Sequence, residues 1–224
     1  MNRKLVWSAC LLALALCSLP AMAGTLYSNF GTGTNVYYCC EGWTVSGTGT
    51  IGTSFISANE FTPTTSGSVG EIDIAVGLVV GPDSFYVDVD ANNNGQPGAV
   101  LASFTGLNSN GNNFGTGCSG GNCPYTSITN ISGLSLTAGT SYWLVVGPTS
   151  TSSATWEAWN FSNSATGNDS YSTDGGNTWL SNGTQPQGAF QILGGSTTPE
   201  PTSLLLFGTG VLGVIGAFRR KMKL

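Results

Sequence analysis

Alternating apolar and polar positions dominate the chain between residues 25 and 193. In Glu71-Ile72-Asp73-Ile74-Ala75-Val76, the residues Ile72, Ile74 and Val76 fall on one side of an extended chain. In Ser84-Phe85-Tyr86-Val87-Asp88-Val89-Asp90, Phe85, Val87 and Val89 share one side while Asp88 and Asp90 share the other. Successive side chains of a strand point to opposite faces, so a period of two marks a strand with one buried face. Strand signals recur at 25–30, 53–61, 70–79, 84–90, 99–104, 127–131, 141–146, 155–161, 177–180 and 189–193. Turn-forming Gly, Asn, Ser and Asp separate them. No helical period of similar length occurs away from the two ends. The pattern predicts an all-β domain, an antiparallel β-sandwich of jelly-roll-like kind, over 24–195.

The ends follow another pattern. Arg3 and Lys4 precede an apolar run over 5–16, then Pro20 and the small-x-small triplet Ala21-Met22-Ala23. This order is that of a secretory signal peptide, residues 1–23, cut after Ala23 by signal peptidase once the secretion machinery has engaged it. At the other end, Pro199-Glu200-Pro201 leads into an apolar run over 204–218, followed by Arg219, Arg220, Lys221 and Lys223. Fifteen helical residues reach ~22 Å at 1.5 Å each. That is short of the ~30 Å hydrocarbon core, and residues 201–203 or a thinner bilayer narrow the gap. The run is expected to be a single transmembrane helix whose basic flank stays cytoplasmic, leaving the middle of the chain outside.

In this order, the Pro-Glu-Pro triplet, the Leu- and Gly-containing span and the basic terminus resemble the PEP-CTERM sorting signal of Gram-negative bacteria. The resemblance covers 196–224 and implies processing by an exosortase. It also implies a species that makes extracellular polysaccharide. Three pieces of the middle, over 90–101, 136–146 and 188–193, resemble choice-of-anchor β-sandwich domains. That resemblance implies no biochemical activity.

Charge narrows the function. All six basic residues lie at the two ends, and the chain has no His. Between Gly24 and Thr198 there are ten acidic side chains and no basic one, a charge of −10 against −5 for the whole chain. Nucleic-acid binding needs cations against phosphates, so no nucleic-acid partner is expected. Ser-His and Cys-His nucleophiles lack their base. Carboxylate chemistry, calcium and aromatic contact remain.

Asp88, Asp90, Asn92 and Asn94 are the candidate metal ligands. Oxygens at alternate positions before Gly95 begin like a calcium loop, but Leu101 stands where a bidentate Glu belongs. The same Asn-Gly sequence also makes a plain hairpin turn. No cofactor other than this candidate calcium is implied. Ser172-Thr173-Asp174-Gly175-Gly176-Asn177-Thr178-Trp179 fits the Asp-box pattern, with Asp174 read as a turn stabiliser and Trp179 as core. Trp156 and Trp159 are candidate sugar contacts; three positions apart on a strand, they face opposite ways. Glu157 lies between them, with no second carboxylate nearby in sequence. Cys39, Cys40, Cys118 and Cys123 remain after signal removal, an even number in an exported domain, and are expected in disulfides. Three pairings are open, including a 118–123 loop with an adjacent 39–40 bridge, or two bridges from 39 and 40 to that loop.

The sequence is thus read as an exported, exosortase-processed protein of the cell envelope or extracellular matrix, structural or adhesive and not an enzyme. A carbohydrate-binding module for extracellular polysaccharide is the second class. The third is a hydrolase acting through Glu157, which requires two carboxylates ~5–10 Å apart in a cleft.

Overall fold

The computed structural model describes residues 24–33, 35–116 and 123–195. The signal segment, Cys118, the triplet Pro199, Glu200, Pro201, the expected membrane helix and the basic residues Arg219, Arg220, Lys221 and Lys223 lie outside the described residues. Gly24–Gly195 forms one compact unit.

Two antiparallel sheets make up this unit. The smaller holds β1 (Thr25–Ser28), β13 (Phe190–Gly194), β4 (Gly67–Ile74) and β8 (Thr126–Thr129) in that order, with β9 (Ser135–Leu136) on β4. The larger runs β12 (Leu180–Gly188), β11 (Trp156–Ser172), β3 (Ile56–Phe61), β10 (Tyr142–Pro148), β6 (Phe85–Asn92) and β7 (Pro97–Leu107). In the same sheet, β2 (Tyr38–Ser46) and β5 (Val76–Val80) pair with the first half of β11. A single-turn helix, α1 (Thr48–Ile51), follows β2.

The alternation seen in the sequence builds the layer between the sheets. Ile72, Ile74 and Val76 meet Phe85, Val87 and Val89 there, together with Leu144, Val146 and Ile192. At one end of that layer the rings crowd around Phe190. Tyr27 stacks on it at 4.9 Å between centroids, Phe61 meets it edge-on at 5.5 Å, and Trp159 lies 5.8 Å away. Burial of these side chains takes their apolar area out of water, the main favourable term in folding.

The 70–79 stretch is not one strand. It breaks at Ala75, so β4 belongs to the smaller sheet and β5 to the larger. A chain that changes sheets must satisfy the backbone groups at its corner. Here Ala75 N donates to Ala189 O at 3.1 Å, and Ala75 O accepts from Asn160 N and Asn160 Nδ2, both at 2.9 Å. Two more buried asparagines do the same work nearby. Asn29 accepts from Phe190 N and donates to Gly188 O. Asn59 accepts from Gly188 N at 2.6 Å and donates to Asp169 Oδ2 at 2.8 Å. Buried amides that mimic missing ladder bonds hold the β12–β13 junction where neither sheet can.

The expected strand at 177–180 is corrected. Those residues close the Asp-box turn, and β12 begins at Leu180.

Candidate functional site

The hairpin between β6 and β7 carries the candidate calcium residues. Asn93 N donates to Gln96 O and Gln96 N to Asn93 O, enclosing Asn94 and Gly95. Asn94 has φ +54 and Gly95 φ +84. A two-residue loop with both φ values positive is the type I′ turn that Asn-Gly favours. The Asn92 oxygen accepts from Gly95 N at 2.9 Å and from Trp143 Nε1 at 3.1 Å, so its lone pairs serve the turn and the sheet. Of the four candidate ligands, Asn92 thus has its side-chain oxygen engaged within the hairpin and with Trp143. Among the described residues no three His, Cys, Asp or Glu side chains gather as a metal site.

Asp88 and Asp90 share the outer face of the larger sheet, and Asp90 is buried. One oxygen of each has no hydrogen-bond partner. Burial, then the Asp88 charge, raises the Asp90 carboxyl to about 7. Burial also raises Asp88. Trp143, Ile56, Ala58 and Val145 form an apolar cluster on this same face, and Tyr86 and Trp179 pack against it. Trp179, read as core from the sequence, packs on this buried cluster at the outside of the larger sheet. Gln96 Nε2 ties the two hairpins together by donating to Trp179 O at 3.1 Å.

Asp174 holds the second hairpin. It accepts from Thr178 N at 2.9 Å, Thr178 Oγ1 at 2.7 Å and Ser172 Oγ at 2.8 Å. These donors favour the ionised form and lower its carboxyl to about 2, with the Thr178 hydroxyl the largest cause.

Trp159 is fully buried. Its Nε1 donates to Ala189 O at 3.1 Å. It cannot meet a sugar, so Trp159 as a sugar contact is corrected to an interior ring. Trp156, at the start of β11, is half-buried. Glu157 between them is fully buried too. Its Oε1 accepts from Ser84 N at 2.8 Å. Its Oε2 receives no donor from any backbone, hydroxyl or amide group. The neighbour within hydrogen-bonding reach is Asp83, whose own oxygens accept from Ser109 N at 2.7 Å and Ser109 Oγ at 2.8 Å. Two carboxyls can hydrogen-bond only through a proton on one of them. Burial, then the Asp83 charge, lifts Glu157 to about 8, so Glu157 carries that proton at neutral pH. The pair has the residue types of a glycosidase, but its Glu157 is fully buried. Asp83 escaped the sequence reading because it sits in a turn far from Glu157 along the chain.

A third pair, Glu71 and Asp73, lies on the outer face of the smaller sheet. Asp73 accepts from Ser127 Oγ at 2.5 Å and Gln191 Nε2 at 2.7 Å. Burial, then the Asp73 charge, raises Glu71. Six of the ten acids thus stand in neighbouring pairs within a region that has no base.

The cysteines narrow the pairings that the sequence leaves open. Cys39 and Cys40 are free thiols. Cys123 is disulfide-bonded, so its partner lies outside the described residues. Bridges from Cys39 or Cys40 to Cys123 are therefore not made.

The described residues form an acid-rich, base-free β-sandwich with a carboxyl pair in which Glu157 is buried and Asp83 partly exposed. Residues 197–221, beyond it, match the PEP-CTERM protein-sorting motif. The chain is thus an exosortase-targeted protein. The motif marks it for export, transient membrane anchoring at its C-terminus and a final place in the cell envelope or outside the cell. No curated protein matches the chain. Among the described residues no helix is long and apolar enough to cross a membrane.

Proposed function

We propose that the domain is a structural or adhesive component of the cell envelope or extracellular matrix and has no catalytic role. One observation carries this reading: the sorting motif follows a closed sandwich whose most perturbed carboxyl, Glu157, is sealed from solvent. The exposed faces support it, since β12 and the second half of β11 present mostly Ser, Thr, Asn and Gln to water. Such a surface stays solvated without cations. Removal of residues 199–224 is expected to abolish retention at the envelope and the mass change of processing, read by fractionation and intact mass. Unchanged location and mature mass would refute the proposal.

Binding of extracellular polysaccharide is a second reading, supported by the half-exposed Trp156 and by Trp43, whose ring meets Phe161 edge-on at 5.2 Å. Because Trp159 is interior, Trp156→Ala is the informative substitution. It is expected to reduce glycan-array binding at least tenfold with no change in folding. A bare array with the unaltered protein would end this reading.

A further inference from the structure

In a regular strand, Cys39 and Cys40 would point to opposite faces. They do not, because β2 is interrupted there. Opposite β11, Tyr38 is in register with Phe161 and Gly42 with Asn160, so residues 39–41 bulge out between neighbouring partners. Extra residues in one strand bend it and re-aim its side chains. The bulge brings the two sulfurs to 2.6 Å, closer than unbonded sulfurs ordinarily stand. Cys40 is exposed and Cys39 half-buried, packed with Tyr37 and Cys123 in a small apolar cluster.

Pairing by elimination points the same way. Four cysteines survive signal removal. Cys123 is already in a bond that includes neither Cys39 nor Cys40. Two adjacent thiols therefore remain on a protein sent to a compartment where disulfides form and persist.

We propose that Cys39 and Cys40 close a vicinal disulfide after export, making this bulge a site of thiol–disulfide exchange. The oxidant is an external disulfide, carried by an oxidoreductase or a small disulfide of that compartment. The Cys40 thiolate attacks one sulfur of the external disulfide and expels the other as a thiolate, leaving a mixed disulfide on Cys40. The Cys39 thiolate then attacks the Cys40 sulfur and expels the second external thiolate. Two protein thiols lose their protons and two electrons, and the external disulfide gains both as two thiols. Adjacent Cα atoms are ~3.8 Å apart, inside the ~4.4 Å lower limit of unstrained bridges. The ring is accordingly easier to reduce than the bond of Cys123, and its opening is reversible.

The test uses the full chain, expressed with its own signal segment and collected after export. Free thiols are alkylated without reduction, and the protein is cleaved after acidic residues. Cys39 and Cys40 then lie on the peptide that ends at Glu41, and Cys123 on another. The expected peptide is unalkylated and lighter by two hydrogens than its reduced form. In a graded dithiothreitol series it opens before the Cys123 bond. Cys39→Ser should leave Cys40 alkylated and the Cys123 bond intact. Alkylation of both Cys39 and Cys40 in the unaltered exported protein would overturn the proposal. So would a link from either to another peptide, or loss of the Cys123 bond in Cys39→Ser.

Discussion

Raising the pH from about 5 to about 9 should weaken the folded mature protein by a few kcal/mol, with Glu157 the largest contributor. The direction follows from proton counts. In the folded protein Glu157 holds its proton up to about 8, against an ordinary value of 4.5. Asp90 and Asp169 hold theirs to about 7 against 3.8, through burial first in both cases. Between pH 4 and 8 the unfolded chain releases these protons and the folded chain keeps them. Stability therefore falls with rising pH across that window and levels off above it. A tenfold change in proton affinity is worth about 1.4 kcal/mol at a fully buried group, so Glu157 alone accounts for a loss on the order of a few kcal/mol. Asp174 acts in the opposite sense and lower down, because its lowered value removes support only as pH drops below about 4. Urea unfolding at pH 5, 7 and 9 measures the slope. Glu157→Gln keeps an acceptor for Ser84 N and supplies a permanent donor to Asp83. It should match the parent at pH 5 and exceed it at pH 9. Stability that climbs between pH 5 and 8 would contradict the shared-proton assignment.

The second large effect is expected from Trp159→Ala, which should cost about 3–5 kcal/mol, enough to unfold much of a domain of ordinary stability. The indole fills the layer between the sheets beside Phe190 and bonds Ala189 O. Deleting it leaves a cavity and removes one of the two donors to Ala189 O at the β12–β13 junction, Ala75 N remaining. Gly188→Ala should damage the same place from the other side, since a Cβ at Gly188 would run into the Trp159 ring. Both are read from the urea midpoint at unchanged slope. Midpoints within about 0.5 kcal/mol of the parent would show that the junction is not packed as described.

The strands that bury one face were legible because burial writes itself into the residue pattern. Phe85, Val87 and Val89 are interior, and Asp88 and Asp90 lie on the other face. The sheet change at Ala75 was not legible, because an apolar run reads the same whether its strand stays in one sheet or passes to another. Residues 162–172 and β12 were missed for the converse reason. They are mostly polar, even where buried as at Ser162, Asp169, Ser170 and Ser172, and are paired through backbone ladders such as Asn168 with Thr184, so few apolar residues signal them. β2 was hidden by its own bulge. Of the candidate chemistry, the Asn-Gly turn and the Asp174 hairpin could be read locally. The Asp83–Glu157 contact could not, because it depends on which loop comes to rest over β11.

The position of β13 has a consequence for how the molecule is made. It is the last strand among the described residues, yet it lies between β1 and β4, and Gly194 N reaches Gly24 O at 2.7 Å. Until β13 emerges, β1 has no neighbour in its sheet and the Asn29 side-chain oxygen lacks its donor, Phe190 N. Pairings this distant along the chain also form slowly. A polypeptide threaded outward from its N-terminus therefore stays incompletely folded until little but the sorting segment is left to pass. The smaller sheet is therefore expected to close last, when Gly24 and Gly194 come together.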